Sequence, residues 1–397
     1  MKETVSFEKK YKVIDLFAGA GGLSLGFESK GFEISLAIEK DAWAKDTYNL
    51  NHQNKNCIEA DITSLSDSFF LDYKGKVNVV MGGPPCQGFS IAASNRRKKN
   101  DSRNFLYKEF LRVVSIVEPE VVLIENVREF SKYTLPDGEL LIDDIIKTLN
   151  NLDYTSSHSV VDIKDYGVPQ DRKRTFLLAV KSNLHSEIDI MKLLTPYKEE
   201  EVTLWQAIGD LPAVSPRQFD EGEILDYTSG PQNDFQKEMR SNCERVYNHI
   251  PMQHTPRMIE KFKFIMQNSK VDELPDELKP RVRGDVNTTS NSVYCQNSRV
   301  MDASKISPTI TASFYSSFIH PTQPRNLTVR EAARIQTFPD WFVFTGKKTT
   351  LSKKLLAKKG IVEDLHLDQF NQVGNAVPPK MAGHLASICL KLLERRI

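Results

Sequence analysis

Short apolar, β-branched runs alternate with amphipathic stretches through the first half of this sequence. The runs predict strands at 13–17, 34–38, 77–81, 121–125 and 175–180. The stretches between them predict helices, notably at 104–117 and 140–149. Strands that alternate with helices favour a mostly parallel sheet with helices on both faces, because each parallel connection must cross a face of the sheet. The pattern therefore predicts an α/β fold.

The alternation ends after the fifth predicted strand. Residues 181–325 are polar and interrupted by prolines, which predicts a second domain. Further helices are predicted at 328–336 and 381–393, and the intervening segment 347–359 is rich in lysine. A chain of 397 residues is long enough for one large domain and a smaller one.

Charge and cysteine content exclude several classes of protein. The 53 basic and 52 acidic residues nearly balance, so any surface that binds nucleic acid must be a local patch. The five cysteines are scattered without a CxxC pair, which argues against a zinc site and favours a reducing cytoplasm. The amino terminus is charged, and no run approaches the ~18 apolar residues of a membrane span. We expect a soluble, cytoplasmic protein that has no membrane or metal site.

The segment DLFAGAGGL at 15–23 follows the first predicted strand and leads into a helix. Glycines at this position let the backbone approach an adenosine-containing cofactor, although a tight turn without a ligand is the alternative. Ser24 stands where a dinucleotide fingerprint has its third glycine, so a dehydrogenase is disfavoured. Glu39 and Asp61 follow the next strands. Taken alone, each would be interpreted as a surface carboxylate. Together with the glycine turn, the two acids favour a site for ribose and adenine.

Cys86 follows the strand at 77–81, within GGPPCQGFS. Two prolines and flanking glycines present this thiol in a cleft, which favours a nucleophile over a small buried cysteine. Glu125 ends the next strand and is expected at the same sheet edge, as an acid partner for Cys86. Arg172 and Arg174 lie two residues apart in QDRKR, a spacing suited to a phosphate or a base oxygen, or to a solvated strand edge.

Six segments in order resemble the cytosine-5 DNA methyltransferase family. They are DLFAGAGG, GGPPCQGFS, ENV, QDRKR, LTVREAARIQTFPD and QVGNAVP, and they extend across nearly the whole chain. The resemblance implies a Rossmann-like, S-adenosylmethionine-dependent large domain and a smaller, variable target-recognition domain. It also implies that the last residues return to complete the large domain. The implied divisions are 1–195, 196–345 with LTVREAARIQ, a hinge at 346–369, and 370–397.

The resemblance assigns residues to S-adenosylmethionine. Phe17 would stack on the adenine, Glu39 would hold the ribose, and Asp61 with Ile62 would recognise the adenine. The other implied cofactor residues are Ala18, Gly19, Ala20, Gly22, Pro85, Leu106, Asn375 and Ala376.

The resemblance also implies a covalent mechanism. Cys86 would add to C6 of a flipped cytosine, which turns C5 into a nucleophile for the methyl group. Protonated Glu125 would hydrogen-bond N3 and the exocyclic amine, Arg174 would hold O2, and Arg172 would support the loop or a phosphate.

Expected DNA contacts lie in two regions of the sequence. The segment 94–103 carries Arg96, Arg97, Lys98, Lys99 and Arg103 just after Cys86, and is expected to contact phosphate rather than remain solvated. Arg299 and Thr309 match the end of the family's recognition domain, and Gln296 is a candidate to fill the space of the flipped base. Double-stranded DNA is the expected partner of a monomer, and a cognate restriction endonuclease is a candidate genetic partner.

Two alternatives remain beside a DNA methyltransferase. An RNA cytosine-5 methyltransferase would share the catalytic residues, but the long variable region and the lack of a CFT tripeptide argue against it. A catalytically inactive DNA-binding module is the other, and the presence of Cys86, Glu125 and Arg174 argues against that. His249 and His254 are five residues apart but have no accompanying ligand cluster, so domain packing or DNA contact is expected instead of metal binding.

Overall fold

A computed structural model describes residues 10–85, 105–216, 223–268, 273–279, 281–282, 285–289, 298–349, 356, 358, 360–361 and 366–396. Cys86, the basic residues of 94–103 and Gln296 lie outside the described residues. The chain divides into two compact units. The first comprises Met1–Gly167, Arg172–Glu200 and Ala376–Ile397, and the second comprises Val168–Asp171 and Glu201–Asn375.

The strands and helices are numbered in chain order over the described residues. The strands are β1 Lys12–Leu16, β2 Glu33–Glu39, β3 Cys57–Glu59, β4 Val79–Gly82, β5 Val121–Val127, β6 Tyr154–Asp162, β7 Gln170–Asp171, β8 Lys173–Lys181, β9 Leu225–Asp226, β10 Arg245–Val246, β11 Arg281–Val282, β12 Asp285–Thr289, β13 Arg299–Val300, β14 Ser307–Pro308 and β15 Phe318–Ile319. The helices are α1 Gly22–Glu28, α2 Ala42–Asn51, α3 Asp67–Leu71, α4 Leu106–Val117, α5 Leu141–Asn151, α6 Ile190–Leu194, α7 Leu204–Ile208, α8 Asp234–Met239, α9 Pro256–Asn268, α10 Val329–Ile335, α11 Gln369–Asn375 and α12 Pro379–Leu393.

The first unit is built on a seven-stranded sheet of order β3-β2-β1-β4-β5-β8-β6. The pairs among β1 to β5 are parallel, whereas β8 runs antiparallel to both β5 and β6. The predicted α/β class and mostly parallel sheet are confirmed. The reversal of β8 was not predicted, and it follows from the short connection between β6 and β8, which is too short for a parallel crossover.

Both faces of this sheet are buried. Ile14 and Leu16 alternate with Val13 along β1, and all three side chains are fully buried. Ile14 and Leu16 belong to a core cluster that includes Phe110 of α4 and Ile145 of α5. Successive residues of a strand point to opposite faces, so Val13 packs on the face opposite Ile14 and Leu16. A strand buried on both faces reads as a continuous apolar run, which is why these strands are visible in the sequence.

The carboxyl-terminal helix α12 packs closely on α1. A Cβ atom added to Gly26 of α1 would lie 2.4 Å from the Cβ of Ala382 and 2.6 Å from its carbonyl carbon. The neighbouring Gly383 has no such conflict, because its nearest contact would be the Ser29 hydroxyl oxygen at 3.5 Å. Gly26 therefore sets the distance between the two helices.

We predict that Gly26→Ala destabilises the protein and that Gly383→Ala does not. The added methyl group at residue 26 must displace Ala382 backbone, and such overpacking costs about 1–3 kcal/mol. At residue 383 the methyl group fits, and replacing a helical glycine gains up to about 1 kcal/mol. Urea unfolding of both variants measures this difference, and equal stabilities would contradict the packing described.

In the second unit, buried ion pairs surround α10. All of its residues are buried, and Arg334 reaches Asp210 at 2.9 Å and Asp340 at 2.5 Å. Thr328 and Glu331 form a capping box at the start of the helix, and Glu331 also pairs with Arg325 at 2.6 Å. The helix predicted at 328–336 is confirmed, but with charges that face partners inside the unit rather than solvent.

Two buried histidines lie beside this network. His249 contacts the Thr328 hydroxyl through Nδ1 and the Pro212 carbonyl through Nε2, both at 2.8 Å. His320 lies 3.4 Å from Glu331. Burial lowers the pKa of His249 and of His320 to about 4. The hydrogen bonds of His249 to protein groups account for it without a metal.

We predict that His249 and His320 contribute less to the stability of the folded protein as the pH falls from about 6.5 towards 4. In this window the unfolded chain protonates these histidines while the folded chain does not, because their folded-state pKa values are depressed. Each contributes a slope of at most about 1.4 kcal/mol per pH unit. His320→Gln should remove the contribution of this histidine, so that the difference in unfolding free energy between wild type and the variant changes across this pH window. A His320→Gln profile that matches wild type would contradict the prediction.

The chain passes from the first unit to the second after residue 200 and returns to the first after residue 375. The divisions predicted from the sequence were at 195, 345 and 369. Residues 168–171 belong to the second unit because Gln170 and Asp171 of β7 pair with Ser307 and Pro308 of β14. Within the described residues, no helix combines the length and apolar character needed to span a bilayer.

Candidate active site at the carboxyl edge of the sheet

The carboxyl ends of β1, β2, β4 and β5 meet at one edge of the sheet, as parallel pairing requires. Strand β8 begins at this edge because it is antiparallel to β5, with Arg174 opposite Val127. Loops at the carboxyl ends of parallel strands are where α/β enzymes bind their ligands. This edge therefore collects most of the predicted site residues of the first unit.

The turn after β1 has a strained, glycine-dependent backbone. Phe17, Gly19 and Gly21 have positive φ angles of 61°, 56° and 94°. The amide of Gly21 donates to the Ala18 carbonyl at 2.9 Å, and the amide of Ala18 donates to the Ile38 carbonyl at 3.0 Å. A non-glycine residue with positive φ is uncommon and often marks a functional turn.

Glu39 holds this turn against the end of β2. Its Oε2 accepts the Gly19 amide and its Oε1 accepts the Asp41 amide, both at 2.8 Å. Burial raises the pKa of Glu39, and these two hydrogen bonds oppose that rise. Among the described residues, space beside Gly19 is open, since a Cβ atom there would meet none of their heavy atoms within 4 Å. Ala20 and Gly22 complete the turn and are buried.

Asp61 differs from Glu39 in its surroundings. Its Oδ2 accepts Lys40 Nζ at 2.5 Å and its Oδ1 accepts the Thr63 amide at 3.0 Å, and these contacts lower the pKa of Asp61 to about 2. Ile62 follows it, is buried, and belongs to the core cluster against which Leu106 packs. Asp61 is thus an ionised carboxylate directly beside an apolar wall.

The loop after β4 begins with two glycines that permit close packing. A Cβ atom on Gly82 would lie 2.1 Å from the Leu16 carbonyl oxygen, and one on Gly83 would lie 3.0 Å from Glu125 Oε2. The Asn126 amide donates to the Pro84 carbonyl at 2.8 Å. Pro85, half-buried, is the last described residue before Cys86.

Glu125 and Arg174 form a partly buried ion pair at this edge, with Glu125 Oε1 3.2 Å from Arg174 Nε. Burial raises the pKa of Glu125, although Arg174 and Arg172 oppose the rise. Arg172 is buried and donates through Nη2 to the Ala376 carbonyl at 3.2 Å. The two arginines of QDRKR therefore have different surroundings within the first unit.

Three further predicted site residues lie in the second unit. Asn375 is exposed at the end of α11. Arg299 lies on β13, with its guanidinium 5.1 Å from the centre of the Phe318 ring. Thr309 follows β14 and donates its hydroxyl to the Asp171 carbonyl.

Asn126 is a further residue of this edge to which the sequence assigned no role. It follows Glu125 in ENV, and its side chain holds the backbone of the loop that leads to Cys86. A polar residue within an apolar strand end was the available signal, because a buried amide must find a hydrogen-bond partner.

Two features of this edge are typical of an α/β group-transfer enzyme. One is the glycine turn that is hydrogen-bonded to Glu39, and the other is Glu125, which has a raised pKa and lies beside the loop that leads to Cys86. The family model for C-5 cytosine-specific DNA methylase matches residues 11–391. Type II methyltransferase M.DdeI of Desulfomicrobium norvegicum is 40% identical over 94% of this chain and 87% of its own length. Type II methyltransferase M1.HphI of Haemophilus parahaemolyticus is 35% identical over 96% and 86%.

A solved structure gives the same result. A prophage-encoded Escherichia coli protein described as a DNA modification methyltransferase has a TM-score of 0.71 and 26% identity, covering 97% of this chain and 100% of its own. The chain belongs to the family of C-5 cytosine-specific DNA methylases. The predicted family, fold class and enzyme class, a DNA cytosine-5 methyltransferase, are confirmed.

We predict that Asn126→Ala slows methylation by loosening the loop at Pro84. Removing the amide leaves the Pro84 carbonyl unpaired, which costs about 1–3 kcal/mol of stability. Thr175→Val is the matched control, since Thr175 donates its hydroxyl to the Val127 carbonyl at 3.2 Å without touching that loop. Turnover should fall more in Asn126→Ala than in Thr175→Val at comparable stability. Equal turnover would assign Asn126 a purely structural role.

Proposed function

We propose that this enzyme transfers a methyl group from S-adenosylmethionine to C5 of a cytosine flipped out of a specific double-stranded DNA sequence. Cys86 is the covalent nucleophile and Glu125 the acid that assists it. The observation that carries this proposal is the Glu125 carboxyl, which has a raised pKa and lies against Gly83 at the root of the Cys86 loop.

The turn after β1 fits S-adenosylmethionine. Glu39 and the open space beside Gly19 suit a ribose, and Asp61 beside Ile62 suits the amino group and ring of an adenine. Phe17 offers an aromatic face, while Ala18, Ala20, Gly22, Pro85, Leu106, Asn375 and Ala376 are assigned by the family resemblance. S-adenosylmethionine supplies an electrophilic methyl group on a sulfonium.

The residues at the sheet edge account for the chemistry on cytosine. The Cys86 thiolate forms a bond to C6 while protonated Glu125 donates to N3, so that electrons from the C5–C6 double bond make C5 nucleophilic. C5 would then bond to the methyl carbon as the bond between sulfur and that carbon breaks, which would leave the neutral thioether S-adenosylhomocysteine. A base removes the C5 proton, and the sulfur–C6 bond breaks to restore the aromatic ring. The raised pKa of Glu125 supports a proton donor here.

The arginines are proposed to hold the cytosine and its loop. Arg174, already paired with Glu125, is assigned to the O2 of cytosine. Arg172 is buried on the Ala376 carbonyl, which supports a role in holding backbone rather than in contacting a phosphate directly. C6 must be approached from the ring face, which stacking in duplex DNA covers, so the base must leave the helix.

DNA is proposed to contact both sequence regions identified above. Arg96, Arg97, Lys98, Lys99 and Arg103 would bind phosphates, and Gln296 would fill the vacated base position; all lie outside the described residues. Arg299 and Thr309 would belong to the target-recognition domain. A cognate restriction endonuclease in a bacterial cytoplasm remains part of the proposal, supported by the names of the type II relatives. The monomeric state remains a prediction.

We predict that Cys86→Ala abolishes methylation and leaves S-adenosylmethionine affinity nearly unchanged, because the thiol attacks cytosine and does not bind the cofactor. The wild type should form a stable covalent adduct with duplex DNA that contains 5-fluorocytosine, since fluorine at C5 blocks the final elimination. RNA of the same sequence should form none. A Cys86→Ala enzyme with full activity would disprove the mechanism, and trapping on RNA alone would favour the RNA alternative.

Glu125→Gln is predicted to lower turnover by about two to four orders of magnitude, as expected for a lost general acid. Glu39→Ala should instead weaken the affinity for S-adenosylmethionine, with a smaller effect on turnover when this cofactor is saturating. Single-turnover rates and cofactor titrations separate the two effects. Unchanged cofactor affinity in Glu39→Ala would contradict its assignment to the ribose.

A further inference from the structure

A buried chain of hydroxyl groups ends on Asp15, beneath the turn that follows β1. Tyr48 of α2 donates to the Ser24 hydroxyl at 2.8 Å, and Ser24 of α1 donates to Asp15 Oδ2 at 2.7 Å. The other oxygen, Oδ1, is buried and has no hydrogen-bond partner among the described residues. A buried acceptor left unpaired costs free energy, so this arrangement needs an explanation.

Helix α2 also packs against the glycine turn after β1, through His52. The rings of Tyr48 and His52 stack at 3.9 Å, and a Cβ atom on Gly21 would lie 2.1 Å from His52 Nε2. His52 Nδ1 in turn contacts Glu28 at 2.6 Å. The hydroxyl chain is thus linked by packing, through Tyr48 and His52, to the backbone of the turn at Gly21.

Acidic groups dominate the surroundings of Asp15. The titratable groups that face it are Glu28 of α1, Glu39 of β2, Tyr48 and His52 of α2, and Cys57 of β3. Burial raises the pKa of Asp15 to about 7, the Ser24 hydrogen bond opposes this rise, and Glu39 and Glu28 reinforce it. The surroundings of Asp15 therefore favour its protonated form more than water does.

We propose that Asp15 is a positioning residue whose carboxyl group releases its proton when a cationic ligand occupies the turn after β1. The inference rests on the proposed function, since S-adenosylmethionine is that ligand. Its sulfonium carries a fixed positive charge, and a nearby opposite charge favours the ionised carboxylate. Ionised Asp15 accepts the Ser24 hydroxyl more strongly and fixes α1 beneath the turn.

The proposal gives the site a means to distinguish methyl donor from product. S-adenosylhomocysteine has an uncharged sulfur, so it provides less reason for Asp15 to ionise. Apart from the transferred methyl group, the two ligands have the same hydrogen-bonding groups. Proton release should therefore be larger for the donor than for the product, and donor affinity should improve as the pH rises through the pKa of Asp15.

Calorimetric titration in buffers of different ionisation enthalpy measures this proton release directly. At pH 7 wild type should release about half a proton per bound S-adenosylmethionine, and less for S-adenosylhomocysteine. Its donor affinity should rise up to about tenfold between pH 6 and pH 8, given an Asp15 pKa of about 7. In Asp15→Asn the difference between the ligands should vanish, while protons from other groups or from the ligand persist.

Tyr48→Phe provides a second test that retains the carboxyl. Without the Tyr48 hydroxyl the Ser24 hydrogen bond weakens, the pKa of Asp15 rises, and proton release should move to higher pH. Tyr154→Phe is the matched control, because Tyr154 also buries a hydroxyl, on the Pro119 carbonyl, outside this chain of groups. It should leave the release profile unchanged.

The outcomes separate the two proposals. Donor binding with the same proton release in wild type, Asp15→Asn and Tyr48→Phe would overturn the role of Asp15 and leave the proposed function intact. Equal release for donor and product in wild type would also overturn it. Failure of wild type to bind S-adenosylmethionine at all would overturn the proposed function itself. If Asp15→Asn does not fold, the shift in Tyr48→Phe decides.

Discussion

The antiparallel pairing of β8 with β5 is the constraint on which the candidate active site depends. It places Arg174 opposite Val127, at the edge where the parallel strands end. A parallel β8 would place Arg174 at the opposite edge of the sheet. The reversal therefore brings Arg174 to Glu125, with which it forms an ion pair. On β5, Asn126 follows Glu125 and hydrogen-bonds the loop that leads to Cys86.

Carboxyl groups at one sheet edge are given different proton affinities by their neighbours. Lys40 and Thr63 keep Asp61 ionised, whereas burial raises the pKa of Glu39, Glu125 and Asp15. When the surroundings of such groups give them different pKa values, one site can contain both a hydrogen-bond acceptor and a proton donor at neutral pH. The structure thus explains why the acids of this edge can have separate roles.

Much of this arrangement could be predicted from the sequence, because parallel strands buried on both faces are continuous apolar runs and end in the residues that form the site. Strand β6 could not, since its residues YTSSHSVVD are mostly polar. The hydroxyl chain from Tyr48 to Asp15 joins three elements, and no local pattern reveals such a contact. The charges of α10 also look solvent-exposed in the sequence, because only the fold supplies Asp210 and Asp340 as partners.

The central claim is that this chain methylates C5 of cytosine in a defined DNA sequence by using Cys86. Bisulfite sequencing of plasmid DNA from a methylase-deficient host that expresses the protein tests it most directly. We expect cytosines protected from conversion at one fixed position of a single recurring sequence, and none in a host that expresses Cys86→Ala. Fully converted DNA from the wild-type host, or protection that persists in Cys86→Ala, would contradict it.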